Sequence, residues 1–139
     1  MPYKFFEDVS IADVAFEATG KTMEEMFESA ALAVTNTMVK DLKSVKPKVK
    51  RTIKIKAENI ESLLFNFLQE IIFLKDAKQL LLSKFKIKII GEKSLQAIVW
   101  GEKLDMKKHE LLVDVKAVTM HKFEVRHDKK WVAKVILDI

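Results

Sequence analysis

Apolar residues recur every three or four positions in two stretches of the chain, and this spacing predicts two helices that each bury one face. The first helix should begin at Thr22, because Thr22 and Glu25 have the spacing of a capping box, and it should run to about Val39. The second should follow Asn59, a good helix cap, and run from Ile60 to about Leu74. Each helix therefore needs another layer to pack against.

Elsewhere the apolar residues alternate with polar ones or form short runs between turn residues, which is the pattern of β-strands. The predicted strands cover residues 3–7, 13–18, 51–57, 80–90, 95–100, 111–117, 122–126 and 130–139. Because consecutive strands with short connections pair antiparallel, we expect an α+β fold. The prediction is a single domain over residues 1–139, with two helices packed on a mostly antiparallel β-sheet or open barrel.

The composition narrows the class of protein further. A chain of 139 residues that is 49% hydrophobic can bury one core. No apolar run is long enough to span a membrane and the amino terminus does not resemble a secretion signal, so we expect a cytoplasmic protein. The absence of Cys excludes disulfides, thiolate nucleophiles and Cys-based zinc sites. A high Lys and Glu content without Cys is typical of hyperthermophile proteins.

The net charge of +5 raises the question of a nucleic-acid partner. All but two of the 25 basic residues are Lys, the exceptions being Arg51 and Arg126. Specific recognition of phosphates and bases favours the planar fork of Arg. Many of the lysines alternate with apolar residues, as on a solvated strand face. Direct contact with RNA therefore stays an open alternative, whose test is a salt-dependent affinity for tRNA.

Motifs for nucleotide binding or nucleophilic catalysis are absent from the sequence. The glycines stand at positions 20, 91 and 101, in neither a phosphate loop nor a dinucleotide-binding pattern. No Ser lies in a nucleophile elbow. We therefore expect a protein that is not an enzyme.

Three carboxylates are the strongest candidates for a binding site. Asp138 precedes Ile139, so its side chain lies beside the terminal carboxylate, and Asp13 begins an apolar strand. If that strand and the last strand are neighbours, all three groups converge, and clustered oxygen anions favour Ca²⁺ or Mg²⁺. The alternatives are a frayed, solvated terminus and an Asp13 that accepts backbone hydrogen bonds at a turn.

Two further groups of residues are weaker candidates. Glu102, Asp105 and His109 lie in a charged connection and form either a ligand cluster or an ordinary solvated loop. Lys116 and His121 flank an apolar stretch. Lys116 is a candidate counter-ion for the carboxylates, and a His such as His121 is more often a hydrogen-bonded sheet residue than a catalytic base.

Taken in order along the chain, several segments together resemble the archease family. The segments that carry the resemblance are Ser10–Asp13, Gly20–Glu28, Gly101–His109, Val115–His121 and the terminal Asp138-Ile139. Their order and spacing are more specific than any one of them. The resemblance and the composition together indicate an archaeal, thermophilic source.

The resemblance implies a non-enzymatic activator of the RtcB-type RNA ligase, a manganese- and GTP-dependent enzyme that joins RNA ends in tRNA splicing. Such an activator promotes guanylylation of the ligase and its multiple turnover. The alternative function that the resemblance implies is a chaperone or specificity modulator of a tRNA cytosine methyltransferase.

The resemblance also implies a divalent-metal site, usually described with calcium, on Asp13, Asp138 and Ile139. Magnesium and manganese stay open, because carboxylate sites accept all three ions. Lys116 and His121 are expected to support the site. Two positions depart from the family pattern: Ser10 stands where a His is frequent, and Met120 stands where an aromatic residue is more usual.

Overall fold

The computed structural model describes residues 2–6 and 12–139 of the chain, and within them it contains two α-helices, one short 3-10 helix (Leu42–Ser44) and seven strands. In chain order these are β1 (Tyr3–Phe6), β2 (Asp13–Gly20), α1 (Met23–Met38), β3 (Val49–Lys56), α2 (Ile60–Lys78), β4 (Leu80–Ile90), β5 (Ser94–Lys103), β6 (Ala117–Asp128) and β7 (Lys130–Asp138). Ser10, one of the two departures from the family pattern, lies outside the described residues.

The strands form two antiparallel sheets. The four-stranded sheet has the order β1-β2-β7-β6, and the three-stranded sheet has the order β3-β5-β4. Every strand pair in both sheets is antiparallel. The predicted α+β fold with two helices and antiparallel strands is confirmed, and the strands that the structure describes form two sheets that do not close into a barrel.

The helices join the two sheets into one core. Helix α1 packs against β2 and β4, and α2 packs against β6, β4 and β3, so each helix contacts both sheets. Phe27 of α1 and Phe67 of α2 stack with their ring centroids 5.9 Å apart, and both are fully buried. Helix α1 is buried around most of its circumference, which is typical of a helix between two layers. The outer faces of both sheets are therefore left to solvent.

The local signals at the helix ends act as the sequence predicts. The Thr22 hydroxyl accepts a hydrogen bond from the Glu25 N–H at 3.1 Å, and the Glu25 carboxylate accepts one from the Lys21 N–H at 2.8 Å. Helix α2 continues four residues beyond the predicted end, to Lys78, and stops at Gln79, which has the left-handed conformation. Among the described residues, no helix is long and apolar enough to cross a membrane.

The predicted strand over residues 111–117 is wrong. Only Leu111 forms a bridge, to Val39, and residues 112–116 have no strand partner before β6 begins at Ala117. The physical reason is a side chain distant in sequence. Lys75 of α2 donates hydrogen bonds to the Asp114 carboxylate and to the Val115 carbonyl, which holds this segment against the helix instead of a strand.

Candidate functional site

The register between β2 and β7 places Asp13 directly opposite Asp138. The Ile139 N–H donates to the Ala12 carbonyl at 2.9 Å, so Ala12 and Ile139 form a hydrogen-bonded pair. In an antiparallel ladder the next pair, Asp13 and Asp138, is then a non-hydrogen-bonded pair, in which the side chains approach each other more closely. The two strands expected to be neighbours are therefore neighbours, and the two Asp side chains share one face.

That shared face is the outer face of the four-stranded sheet. Phe16 on β2 and Leu137 on β7 point to the opposite face and are fully buried in the core. Because side chains alternate between faces along a strand, Asp13 and Asp138 point away from the core. Asp138 is exposed and Asp13 is partly buried. We call Asp13, Asp138 and the terminal residue Ile139 the carboxylate tip.

The structure brings Lys116 to the carboxylate tip. The Lys116 N–H donates to the Asp138 carbonyl at 2.8 Å, and the next residue, Ala117, pairs with Asp138 in the register of β6 and β7. The Lys116 side chain is exposed. Lys116 thus lies just before β6, with its backbone beside Asp138, and its side chain forms no ion pair among the described residues. Its expected role as a supporting cation stays a prediction.

His121 lies further along β6. It is four residues beyond Ala117, roughly 13 Å at the rise of an extended strand. The register with β7 shifts between Thr119 and Glu124, and the His121 N–H donates to the Thr119 hydroxyl at 3.0 Å. The His121 side chain is exposed. The backbone of Lys116 therefore lies at the tip, through its hydrogen bond to Asp138, whereas His121 lies further along β6.

Lys75 is a positioning residue that the sequence reasoning missed. It is 7% exposed, and its ammonium contacts Asp76, Asp114 and the Val115 carbonyl. Burial lowers the pKa of Lys75, but the hydrogen bonds and charges of Asp114 and Asp76 outweigh it and raise the pKa above its usual value. These contacts anchor the segment that leads to Lys116. The sequence signal for it was its place on the apolar stripe of α2, one turn beyond Ile71 and Ile72.

The donor chemistry of the carboxylate tip fits a hard divalent cation. Two like charges directly opposite each other in a strand pair are destabilising, and an oxygen-ligated cation offsets them. The described part of the chain has no cluster of three or more His, Cys, Asp or Glu side chains that could hold a metal ion. Asp13 and Asp138 would supply two of the oxygen ligands of such an ion, and carbonyl oxygens and water commonly complete the shell of these cations.

The second group of candidates, Glu102, Asp105 and His109, takes part in a set of hydrogen bonds within the chain, which we call the clasp. The Glu102 carboxylate accepts hydrogen bonds from the Lys108 ammonium at 2.7 Å and the Lys46 N–H at 2.7 Å. His109 Nδ1 accepts from the Asp105 N–H at 3.0 Å, so the ring hydrogen is on Nε2, which donates to Glu102 at 3.1 Å. The Lys48 ammonium also lies 3.6 Å from this carboxylate, so four basic or N–H groups of the chain surround Glu102. These contacts favour a structural role for Glu102, Asp105 and His109 over the ligand interpretation.

This clasp predicts a loss of stability in acid. Burial by itself raises the pKa of Glu102, but the hydrogen bonds from Lys108, the Lys46 N–H and His109 outweigh it and lower the pKa to about 2. The unfolded chain then binds more protons than the folded one between pH 2 and an ordinary Glu pKa near 4.5, so stability must fall as the pH falls through that range. Above a pH of about 4.5, the full contribution of Glu102 to stability is present.

Glu102→Gln tests the clasp. At pH 7 we expect the variant to lose about 1–3 kcal/mol of unfolding free energy, because buried donors lose a charged acceptor. Near pH 2.5 the difference from the parent should shrink, since the parent then carries a partly protonated Glu102. Urea unfolding at both pH values measures this. An equal difference at both would contradict the lowered pKa.

These features define a class: a small α+β protein with two helices between two antiparallel sheets, and two Asp side chains paired where the first long strand meets the last. The model of the archease protein family (MTH1598/TM1083) matches residues 3–139. This chain belongs to the archease family.

Individual relatives agree with the family match. The chain is 37% identical to protein archease of Pyrococcus furiosus over 133 residues, which are 92% of this chain and 93% of that protein. Protein archease of Pyrococcus abyssi is 38% identical over the same shares of the two chains. The solution structure of protein 1598 of Methanobacterium thermoautotrophicum superposes with a TM-score of 0.84 at 39% identity, and covers 99% of both chains.

The fold alone is shared with a more distant structure. An archease of Thermotoga maritima, described as a possible chaperone, matches with a TM-score of 0.63 at 23% identity, over 94% of this chain and 93% of that one. The resemblance inferred from the sequence is therefore confirmed at the level of family and fold.

Proposed function

We propose that this protein is a non-enzymatic activator of an RtcB-type RNA ligase and acts through its carboxylate tip in the cytoplasm. Membership of the archease family supports the class of function. The observation that carries the choice of the tip is the strand register that pairs Asp13 with Asp138 on an outward face. Paired surface carboxylates have no role in the core, and a cation or a basic partner offsets their mutual repulsion.

The tip is also the proposed site of a divalent cation, calcium in the first place, with magnesium and manganese as alternatives. Asp13, Asp138 and the terminal carboxylate of Ile139 would hold it. When bound, the ion would offset the negative charges and keep the carboxylates in one arrangement. The exposed Lys116, whose backbone N–H contacts Asp138, would add a positive charge near them, so the tip would offer both signs of charge to a partner.

Activation requires that the tip bind one state of the ligase more tightly than another. An activator with equal affinity for both states of the ligase does not shift the equilibrium between them, however tightly it binds. The tip is the outward end of two central strands, and Lys75 holds the adjoining segment against α2. Such a preorganised surface can favour the ligase conformation that accepts the guanylyl group, since little ordering of the activator is needed on binding.

Multiple turnover by purified cognate ligase tests the proposal. With RNA ends in large excess over ligase and with GTP and manganese present, we expect product to exceed the amount of ligase only when this protein is added. The controls are buffer alone and an unrelated protein of similar net charge. Equal product yield with and without this protein would contradict the proposal.

A second function has one observation in its favour. Leu111, Leu112 and Val113 are consecutive and exposed by 38%, 51% and 41%. Contiguous exposed apolar residues mark interaction surfaces. They suit the alternative role of a chaperone or specificity modulator of a tRNA cytosine methyltransferase.

The two functions respond differently to substitution. If the apolar segment is the working surface, Leu112→Ser will reduce protection of the methyltransferase against heat aggregation, and Asp138→Asn will leave it unchanged. If the ligase proposal is right, Asp138→Asn will remove stimulation of the ligase, and Leu112→Ser will retain it. Light scattering and the ligation assay are the two readouts.

A further inference from the structure

Six lysines lie on the outer face of the three-stranded sheet. Side chains alternate between faces along a strand, and Ile53, Phe85 and Ala97 occupy the buried face. The opposite, outward positions of the two edge strands are rich in Lys. We call this surface the lysine face, and its charged residues are Lys50, Lys54 and Lys56 on β3 and Lys84, Lys86 and Lys88 on β4.

The strand order places these lysines in two rows. Strand β5 lies between β3 and β4, so one row runs along each side of it. Neighbours two residues apart in a row are about 6.6 Å apart, and the rows are about 9.6 Å apart, from standard strand dimensions. The outward positions of residues 50–56, 84–90 and 94–100 include no Asp or Glu.

The charge of this face is not balanced by ion pairs among residues 2–6 and 12–139. All six lysines are exposed, and none forms a salt bridge within the part of the chain that the structure describes. Elsewhere, by contrast, Lys75 and Lys108 contact carboxylates. A cluster of like charges without counter-charges favours an anionic partner, because neutralisation relieves the repulsion.

An aromatic ring lies between the two rows. Trp100 of β5 is opposite Lys50 on one side and Lys84 on the other. The Lys84 ammonium lies 4.7 Å from the centroid of the indole ring, and Trp100 is partly exposed. Ile98 and Gln96 continue the same outward row. The face thus combines a central aromatic ring, over which the Lys84 ammonium lies, with cations on both sides, and a base that stacks on the covered side of the ring would have to displace Lys84.

We propose that the lysine face binds single-stranded RNA without sequence preference, with phosphates at the lysine rows and a base stacked on Trp100. Single-strand binding combines a positive surface that follows the backbone with aromatic platforms for the bases, and it needs no Arg fork. The scarcity of Arg in this chain therefore does not argue against binding of single-stranded RNA. The choice of RNA over DNA rests on the proposed function, because the chemistry of the face accepts either backbone.

A single strand suits the face better than other polyanions. Base pairs in a duplex keep their faces stacked inside, so a duplex would leave Trp100 unused. A lipid surface would require several apolar residues that insert, whereas on this face Ile90 is 53% exposed, Trp100 is only partly exposed, and six lysines surround them. The lysine face and the carboxylate tip lie on different sheets, so substitutions can test them separately.

Fluorescence anisotropy of a labelled oligouridine of about 12 nucleotides measures the binding without any ligase. We expect affinity to fall steeply between about 50 and 200 mM salt, with a logarithmic slope of about −0.7 per phosphate contacted. The triple variant Lys54→Gln, Lys86→Gln, Lys88→Gln should bind at least about tenfold more weakly at low salt and with a shallower slope.

A matched triple variant controls for net charge. Lys43→Gln, Lys78→Gln and Lys130→Gln remove the same charge from exposed positions outside the lysine face, and should weaken binding less than about threefold. Equal weakening by both triple variants would overturn the assignment to this face. So would salt-independent binding.

Trp100 gives an independent readout. In a Trp131→Phe background, the oligonucleotide should quench the remaining tryptophan fluorescence. Trp100→Leu should weaken binding about fivefold or more, and Trp100→Phe should retain most of it, because every aromatic face can stack on a base. No quenching, or binding to phosphatidylserine vesicles in place of RNA, would overturn the proposal. RNA binding without stimulation of the ligase would sustain it and contradict the proposed function instead.

Discussion

Calcium is expected to raise the melting temperature of this protein by roughly 8–13 °C at a hundredfold excess over its dissociation constant, because binding to the folded state alone then adds about 2.7 kcal/mol. Asp13→Asn and Asp138→Asn should each remove most of that rise, since each takes one anionic ligand from the carboxylate tip. Scanning calorimetry with calcium and with a chelator measures the effect.

The same variants separate a metal ligand from a structural residue. Without metal, Asp138→Asn should be as stable as the parent or slightly more stable, because it removes repulsion between two opposed carboxylates. Asp128→Asn, at the far end of β6, is the matched control and should keep the full response to calcium. A calcium response of Asp138→Asn equal to that of the parent would contradict a metal site at the tip.

Gly101→Ala is expected to be the most damaging small substitution in the fold. A Cβ at this position would lie 1.7 Å from the Leu81 carbonyl oxygen and 2.8 Å from the Leu82 Cα. Both are backbone atoms, so no rotamer change relieves the clash, and β4 and β5 must move apart where the Gly101 carbonyl also accepts from the Lys48 N–H. We expect a loss of about 3 kcal/mol or more in the unfolding free energy.

Gly91→Ala is the control for backbone conformation. Gly91 has a φ of 61°, and a Cβ at this position would have no atom within 4 Å, so only the conformational cost of about 1 kcal/mol applies. Urea unfolding of both variants compares a close backbone approach with a left-handed turn. Equal losses would show that the contact of Gly101 with β4 is not what requires glycine.

Local signals account for the parts of the fold that the sequence predicts well. The capping box at Thr22 begins α1, and the apolar alternation of residues 80–90 matches β4 over its whole length. These features depend on near neighbours. The strand predicted at 111–117 fails because Lys75, distant in sequence, binds Asp114 and the Val115 carbonyl. The pattern of apolar and polar residues near positions 111–117 cannot indicate a contact with a residue so distant in sequence.

The candidate sites likewise divide into those that the sequence could predict and those that depend on contacts between distant parts of the chain. The sequence could place Asp13 near Asp138 only if their two strands were neighbours. The register between β2 and β7 shows that they are. The lysine face could not be recognised, since the lysines of β3 and β4 form one surface only because β5 lies between them. Glu102 and His109 do meet, but Lys108 and the Lys46 N–H turn the cluster into a clasp.

Guanylylation of the cognate ligase, followed with labelled GTP, tests most directly whether the carboxylate tip is the working part of the protein. We expect the parent and Asp128→Asn to accelerate formation of the guanylylated ligase. Asp138→Asn and a chain without Ile139 should not accelerate it, although both remain folded by circular dichroism. Acceleration by folded Asp138→Asn equal to that of the parent would contradict a working role for the tip.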